Sequence, residues 1–324
     1  MKWKDRTVSH STRTIYAGRN AVKTTRIVAA ALFTGIAVLD GFYRIGPIVS
    51  GRKASPDVWE PNPNLLFQQG VVAESRPLLK IMTLNAAHGR KEGSHKLLSN
   101  RGSARTNLDD VAAVLRRENP DIVALQEVDG PSVWSGMFDH LQYLSRYGGF
   151  PYSVMGEHVK GKLNAYGTGL VSWFPLEDTL SIRFSPAPPT FAKGAVVSTV
   201  RLPGTSDKTI DVVSLHLDFA RRSVRRRQAI ELVEKIKNRK RPLIVMGDFN
   251  CEWTTGEQTL PFLAHSLGLR AFRPEAKAMT THPASGRRLD WILLSRGLEF
   301  RGYKTLDDPL SDHLAVVAEV ALRS

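Results

Sequence analysis

Short apolar runs that each end in a polar residue recur along this chain. Leu78-Leu79-Lys80-Ile81-Met82-Thr83-Leu84 ends in Asn85, and Asp121-Ile122-Val123-Ala124-Leu125 ends in Gln126-Glu127. Asp211-Val212-Val213-Ser214-Leu215 ends in His216, and Leu243-Ile244-Val245-Met246 ends in Gly247-Asp248-Phe249-Asn250. Apolar runs this short predict buried strands. Strands that deliver polar residues at the same end build a site at the lip of a sheet. The middle of the chain reads as strands at 166–172, 195–202 and 209–217 (the run that ends in His216), separated by turns containing Pro and Gly, and later strands are expected at 289–294 and 314–322. Leu108, Val111, Ala112 and Leu115 fall at i, i+3, i+4 and i+7 and predict a helix over 106–118. Thr106 or Asn107 would cap it, with Asp109 and Asp110 at the positive end of its dipole. The Gly-, Ser- and Arg-rich stretch 88–103 before it reads as too polar to pack. A second helix is expected over 221–238, with Ala229, Leu232, Val233 and Ile236 on one face, and a helical patch near 257–267. Strands and helices mixed without strict alternation predict an α/β (α+β) sandwich of sheets with helices outside.

Charge changes the picture mainly at the N-terminus. The chain of 324 residues carries a formal charge of +14, of which +6 lies in residues 1–26 and +8 in 78–324. Such a balance favours anionic partners: nucleic acid, anionic lipid or a phosphorylated substrate. Residues 27–49 are largely apolar, broken by Asp40 and Arg44. Three readings fit them: a membrane anchor with the basic leader on the cytoplasmic side, a cleaved signal peptide, or a buried or interfacial helix. The leader also loosely resembles an organelle transit peptide. The division expected is a basic leader (1–26), a hydrophobic anchor or signal segment (27–49), a Pro-containing linker or wrapped loop (50–77) and a catalytic domain (78–324). An anchor would place that domain on the extracytoplasmic side; cleavage would release it. Cys251 is the one cysteine, which rules out an intrachain disulfide and reads as a small packing residue.

The polar residues at the strand ends are Asn85, Glu127, His216, Asp248, Asn250, Asp290, Asp312 and His313. Carboxylate and amide oxygens without a Cys/His cluster suit Mg2+ or Mn2+ rather than zinc. Two histidines add groups that protonate or hydrogen-bond a phosphoryl oxygen. Neither a P-loop nor a Gly-x-Ser-x-Gly elbow is present, which argues against P-loop nucleotide hydrolysis and serine hydrolysis. Taken singly, Asp248 and Asn250 also fit a turn after a strand, His216 a satisfied core histidine, and Asp312-His313 a helix cap or surface pair. Asp290 is different, because a carboxylate inside the apolar run 289–294 needs a partner if buried. Arg221, Arg222, Arg225, Arg226 and Arg227 open the second helix against its dipole, which solvation, carboxylate partners or an anionic surface would explain.

The ordered set Thr83-Leu84-Asn85, Leu125-Gln126-Glu127-Val128, Ser214-Leu215-His216-Leu217, Gly247-Asp248-Phe249-Asn250, Leu289-Asp290-Trp291-Ile292-Leu293 and Ser311-Asp312-His313 resembles the endonuclease/exonuclease/phosphatase superfamily over 78–322. The resemblance implies a four-layer α/β/β/α sandwich of two mixed sheets, here preceded by the N-terminal hydrophobic anchor helix. It implies an Mg2+- or Mn2+-dependent phosphoesterase, with in-line attack of water on phosphorus. Glu127 would be the principal metal ligand, helped by Asn85 and Asp312. Asp248 would orient or deprotonate the water. Asn250 and His216 would bind phosphate oxygens. His313, held by Asp290, would stabilise the transition state and bind phosphate. The sequence departs from the superfamily near Thr168 and Trp173, where relatives commonly carry an Asn and a basic residue. Arg225 and Gln228 resemble an Arg-x-x-Gln pair of relatives, and Phe191, Lys193 and Gly194 faintly resemble a Lys-Gly segment of the lipid-acting branches. The expected substrate is a lipid-headgroup phosphodiester at a membrane, with DNA or RNA as the alternative and a non-catalytic binding module as a third reading. The expected oligomeric state is a monomer.

Overall fold

A computed structural model of the chain describes residues 52–58, 78–91, 101–161, 163–202 and 208–323. In chain order the elements are β1 (Arg52–Lys53), β2 (Asp57–Val58), β3 (Leu79–Asn85), α1 (Arg101–Glu118), β4 (Ile122–Asp129), α2 (His140–Gly148), β5 (Tyr152–Lys160), β6 (Ala165–Ser172), β7 (Leu176–Arg183) and β8 (Gly194–Arg201). They continue with β9 (Thr209–His216), α3 (Arg222–Ile236), β10 (Leu243–Asp248), α4 (Thr259–Leu267), β11 (Leu269–Ala271), β12 (Asp290–Ser295), β13 (Leu298–Thr305) and β14 (Val316–Leu322). One sheet runs β13-β14-β3-β4-β6-β5-β2 and the other β1-β7-β8-β9-β10-β12-β11. The pairs β3/β4 and β9/β10 are parallel, and every other pairing is antiparallel.

The apolar runs are continuous because these strands are buried on both faces. In β10, Ile244 and Met246 face the layer between the sheets, while Leu243 and Val245 join the core under α3 and α4. In β4, Ile122 and Ala124 face the inter-sheet layer, while Val123 and Leu125 join the core with α1 and α2 residues. Three apolar layers separated by two sheets are the expected α/β sandwich. Phe249 and Cys251 sit in the layer with α3 and α4, and burial pushes the Cys251 thiol up, so this cysteine is packing.

Several boundaries differ from expectation. The helix α1 already includes Arg101, ahead of the expected 106, and Arg101 and Arg105 lay their guanidinium groups over Phe138 at 5.8 and 5.4 Å. Thr106 and Asn107 therefore lie inside it: Thr106 Oγ1 donates to Gly102 O, and Asn107 Nδ2 donates to Gly89 O. Strands β5, β7 and β13 escape the periodic reading. Each carries a register shift, and partly exposed positions interrupt its apolar pattern. Residues 52–58, expected as linker or wrapped loop, take the wrapped form: β1 extends one sheet at β7 and β2 the other at β5.

The arginines at the start of α3 are largely partnered. Arg225 is buried and grips Glu257 through two hydrogen bonds of 2.7 Å, and its Nη1 donates to Asp218 O. Arg226 lies 3.5 Å over the Phe262 ring, Arg227 faces Glu231 at 3.8 Å, and Arg221 donates to Pro188 O. Asp218 Oδ1 accepts from the backbone N–H groups of Ala220 and Arg221 and offsets the unfavourable charge at this end. The expected anchor, 27–49, lies outside the described residues; among the described residues no helix is long and apolar enough to cross a membrane.

Candidate active site

The two parallel strand pairs end beside one another across the inter-sheet layer. Register places Asn85 opposite Gln126 in one sheet, and Asp248 opposite both His216 and Asp290 in the other. Polar bridges replace apolar packing here. Gln126 Nε2 donates to Ser214 Oγ at 3.1 Å, and Asn85 Nδ2 donates to Asp248 Oδ2 at 3.0 Å.

Asp248 is buried and held from several directions. Its Oδ1 accepts from the Asn250 backbone N–H at 2.9 Å, and its Oδ2 accepts from Asn250 Nδ2 at 3.1 Å. Asn250 reaches back because it adopts a left-handed backbone (φ 53°), and its amide also donates to Leu217 O. Gly247 is required at φ 145°, where a Cβ would meet Leu215 O at 1.9 Å. His216 Nε2 stands 3.4 Å from Asp248 Oδ2. Burial pushes the Asp248 carboxyl up to about 7, with His313 pulling it down and Asp290 pushing it further up.

His313 leans on Asp290, with Nδ1 2.7 Å from Oδ2. Its Nε2 is 3.9 Å from Asp248 Oδ2. Burial opposes the charged ring, but Asp290 and Asp248 outweigh it and raise His313 to about 10. The Asp290 side chain is the partnered buried carboxylate that the run 289–294 demanded. Its second oxygen, Oδ1, is buried with no hydrogen-bond partner among the described residues. Asp312 is exposed, with its carboxylate within 4.8 Å of His282 and His313 nitrogens.

Glu127 sits across from this group in a different environment. It is the bulged residue of β4, at φ 51°, between Gln126 and Val128 in the register with β6. The bulge turns its carboxylate to the site. Lys193 Nζ lies 3.3 Å from Oε1, His88 Nε2 lies 3.4 Å from Oε2, and His216 Nε2 lies 3.8 Å from Oε1. Burial would raise its pKa, but His88, Lys193 and His216 hold it well below the ordinary carboxylate range. His216 itself is pushed well below its ordinary value by burial and by Lys193, so its ring is neutral.

His88 and Lys193, and Asp129 behind His88, were not among the expected site residues. His88 belongs to the stretch expected not to pack. It stands in a 3-10 turn (Ala87–Gly89) at φ 56°, with Nδ1 2.6 Å from buried Asp129 Oδ1 and its ring against Trp134 and Tyr166. Asp129 Oδ2 accepts from Trp134 Nε1 at 2.8 Å. Two signals were available: the Glu127-Val128-Asp129 spacing, which puts a second carboxylate at the end of β4, and the Lys193-Gly194 pair, which resembles a segment of the lipid-acting branches. At the departure near Thr168, the Thr168 hydroxyl meets His158 Nε2 at 3.0 Å.

The residues present fit a hard divalent ion at Glu127. Its carboxylate is held ionised, is only half-buried, and has the Asn85 carboxamide at the neighbouring strand end. Asp312 is not in a donor cluster with it. Among the described residues the groups of three His, Cys or carboxylate donors within 4.8 Å are His282/Asp312/His313 and Asp248/Asp290/His313.

Residues 82–313 match the profile of the Endonuclease/Exonuclease/phosphatase family. No curated protein matches the chain. Among solved structures, an endonuclease/exonuclease/phosphatase from Beutenbergia cavernae is 19% identical, with 76% of this chain and 72% of that one covered and a TM-score of 0.61. The human Nocturnin catalytic domain with a bound sulfate anion is 20% identical, covering 77% and 96%, with a TM-score of 0.51. Beta toxin from Staphylococcus aureus is 17% identical, covering 74% and 99%, with a TM-score of 0.52. These structures share the fold.

Proposed function

The chain belongs to the Endonuclease/Exonuclease/phosphatase family, whose members are metal-dependent phosphoric ester hydrolases, and from that premise we propose that it is an Mg2+- or Mn2+-dependent phosphodiesterase. The observation that carries this reading is the opposition of two carboxylates: Asp248, raised to about 7, and Glu127, held far below its ordinary value. Asp248 is the base. Near neutral pH it accepts the proton of a water attacking phosphorus, in the range where a general base is most effective. Asn85 and Asn250 fix its orientation through their amides. His313, cationic and aligned by Asp290, meets the charge that develops on the phosphoryl oxygens. His216, neutral, offers a ring nitrogen to the same phosphate, and Asn250 holds the strand end against Leu217. Glu127, with Asn85 and Asp312 as the further candidates, would hold the ion, which when bound neutralises charge on the phosphate.

The substrate class we favour is a lipid-headgroup phosphodiester. Large apolar side chains stand exposed near the site: Phe219 is 64% exposed and has the Lys193 ammonium 6.0 Å from its ring centroid. Val133 and Leu163, joined by a backbone hydrogen bond, are also exposed and adjoin Trp134, which touches His88. Exposed apolar residues gathered at a site suit an apolar partner, and an anchor at 27–49 would hold the domain beside headgroups. The arginines of α3 give this reading little, since most are spent on internal partners. The +8 charge of 78–324 supports nucleic acid as the second reading.

The test is hydrolysis by the full-length chain. It should cleave bis-p-nitrophenyl phosphate with Mg2+ or Mn2+ and stop with chelator. Side-by-side assay on mixed phospholipid vesicles, plasmid DNA and RNA separates the substrates. Cleavage of nucleic acid alone, falling steeply with salt, would overturn the lipid reading; no cleavage of any diester would overturn the activity.

A further inference from the structure

Lys193 sets a buried ammonium group against both Glu127 and His216, and the proposed hydrolysis gives it no role. Its side chain is 7% exposed, and Nζ lies 3.3 Å from Glu127 Oε1 and 3.1 and 3.3 Å from His216 Nε2 and Nδ1. Glu127 accepts from the ammonium, and the near-equal distances to both His216 nitrogens set Nζ against the imidazole ring rather than on a single lone pair. No further hydrogen-bond acceptor reaches it among the described residues, and the Phe219 ring centroid stands 6.0 Å away. A buried ammonium left short of one acceptor is poised for an anion.

The backbone holds it there. Lys193 is the last residue before β8, and its carbonyl accepts from the Phe184 N–H at 3.0 Å. The next residue pairs with His216 across β8 and β9 and must be glycine: a Cβ on Gly194 would meet Ile182 O at 2.2 Å and His158 Nδ1 at 2.4 Å. Lys193 therefore stands on a rigid sheet edge, with its charge between Glu127 and, through His216, Asp248.

In two-metal phosphodiesterases a second divalent ion sits about 3.5–4 Å from the first and shares its ligands. Here the ground between the two carboxylates is already held by Lys193 and His216. We propose that the Lys193 ammonium takes the second cation's place: it binds a non-bridging phosphate oxygen directly and limits the site to a single divalent ion. This assignment rests on the phosphodiesterase reading for its catalytic meaning, but the anion binding it predicts needs neither metal nor turnover.

The experiment therefore reads binding. Inorganic phosphate is titrated calorimetrically into the full-length chain in EDTA, and Mn2+ is titrated in a separate series. Wild-type protein should bind phosphate without metal. Lys193→Met should weaken that binding about tenfold or more, as for loss of one hydrogen bond to a charged group, and Lys193→Arg should keep most of it. Mn2+ should bind wild type with a stoichiometry of one, also with phosphate present, and bind Lys193→Met at least as tightly. The assignment fails if phosphate binding is unchanged in Lys193→Met. It also fails if that variant loses Mn2+ affinity, which would make Lys193 a support for Glu127, or if wild type takes up two Mn2+ ions. A folded Lys193→Met, verified by circular dichroism and matched against Lys193→Arg, is required for each comparison. If wild type binds phosphate through Lys193 yet cleaves no diester, the phosphodiesterase reading falls and the anion site stands.

Discussion

The site has two histidine–carboxylate arms, alike in geometry and opposite in effect. In one, His313 has Nδ1 2.7 Å from buried Asp290 and Nε2 3.9 Å from Asp248. In the other, His88 has Nδ1 2.6 Å from buried Asp129 and Nε2 3.4 Å from Glu127. Yet the carboxylate reached is raised in the first arm and lowered in the second. Two differences account for this. Asp248 has the second carboxylate, Asp290, close by, and its neighbours Asn85 and Asn250 are neutral amides. Glu127 has Lys193 at 3.3 Å and is only half-buried. On the proposed roles, one functional group, a carboxylate, would serve as a base in one place and as an ion ligand in the other, set by which charges stand near it.

The largest expected effects come from exchanging the two carboxylates' chemistry. Asp248→Asn should lower kcat by roughly 10^3, the middle of the range for loss of a general base, with Mn2+ affinity nearly unchanged. Glu127→Gln should instead weaken Mn2+ binding, by about 100-fold or more if it is the principal ligand, and excess Mn2+ should recover part of kcat. Steady-state kinetics over a Mn2+ series, paired with calorimetry, separates the two. If Asp248→Asn abolishes metal binding as Glu127→Gln does, the division of roles is wrong.

The histidines should split in the same way, with smaller effects. His313→Asn should cost about 10^2–10^3 in kcat, as for removal of a group that meets developing charge. His88→Asn should cost about tenfold, appearing as weaker Mn2+ binding, because His88 touches Glu127, the proposed ion ligand, and has no proposed contact with the phosphate. His313→Asn carries a further signature. The His313 charge pulls the Asp248 pKa down, so its loss should move the acidic limb of the pH–rate profile to higher pH. His88→Asn should leave that limb in place.

How far each arm could be read in the sequence follows from the same geometry. Asp248, Asn250, His216 and Asp290 lie at or beside the ends of buried strands, so apolar runs announce them. His313 stands just before the apolar run 314–322, and Asp290 betrays itself as a carboxylate among Leu289, Trp291 and Ile292. His88 has no such marker. A three-residue turn with positive φ at Ala87 and His88 returns it to the site. Asp129 is hidden by the bulge at Glu127, which breaks the period that would have linked the two. Lys193 is brought in by antiparallel pairing of β8 with β9, a contact between residues far apart in the chain. The sandwich of sheets with helices outside was legible in the nearly continuous apolar runs of strands buried on both faces, and the four-layer order came from the family resemblance. The bulged strands β5, β7 and β13 were not, because their patterns mix exposed and buried positions out of step.

The smallest expected effect is on stability, and its sign distinguishes the arms. The Asp248 pKa is raised in the folded chain, to about 7 from the usual 3.8. Between these values the folded state holds a proton that the unfolded state has lost. Its contribution to stability is therefore present below 3.8 and lost as the pH rises through about 7. At pH 8 an ionised, buried Asp248 works against the fold, and Asp248→Asn should stabilise the metal-free protein. After relaxation of the site the gain should be about 1 kcal/mol, or ~2–4 °C in Tm for a domain of this size. Glu127 is the opposite case. Its depressed folded pKa gives stability that is present above the usual 4.5 and lost as the pH falls through the folded value. At pH 8 Glu127→Gln removes the partner of Lys193 and His88 and should lower Tm. Thermal melts of both variants in EDTA, at pH 8 and again at pH 5, measure this directly. The Asp248→Asn advantage should shrink at pH 5, where the parent's Asp248 is protonated. An Asp248→Asn protein that melts below the parent at pH 8 would mean that the buried carboxylate is held by its neighbours as firmly as Glu127 is, and the contrast between the arms would fail.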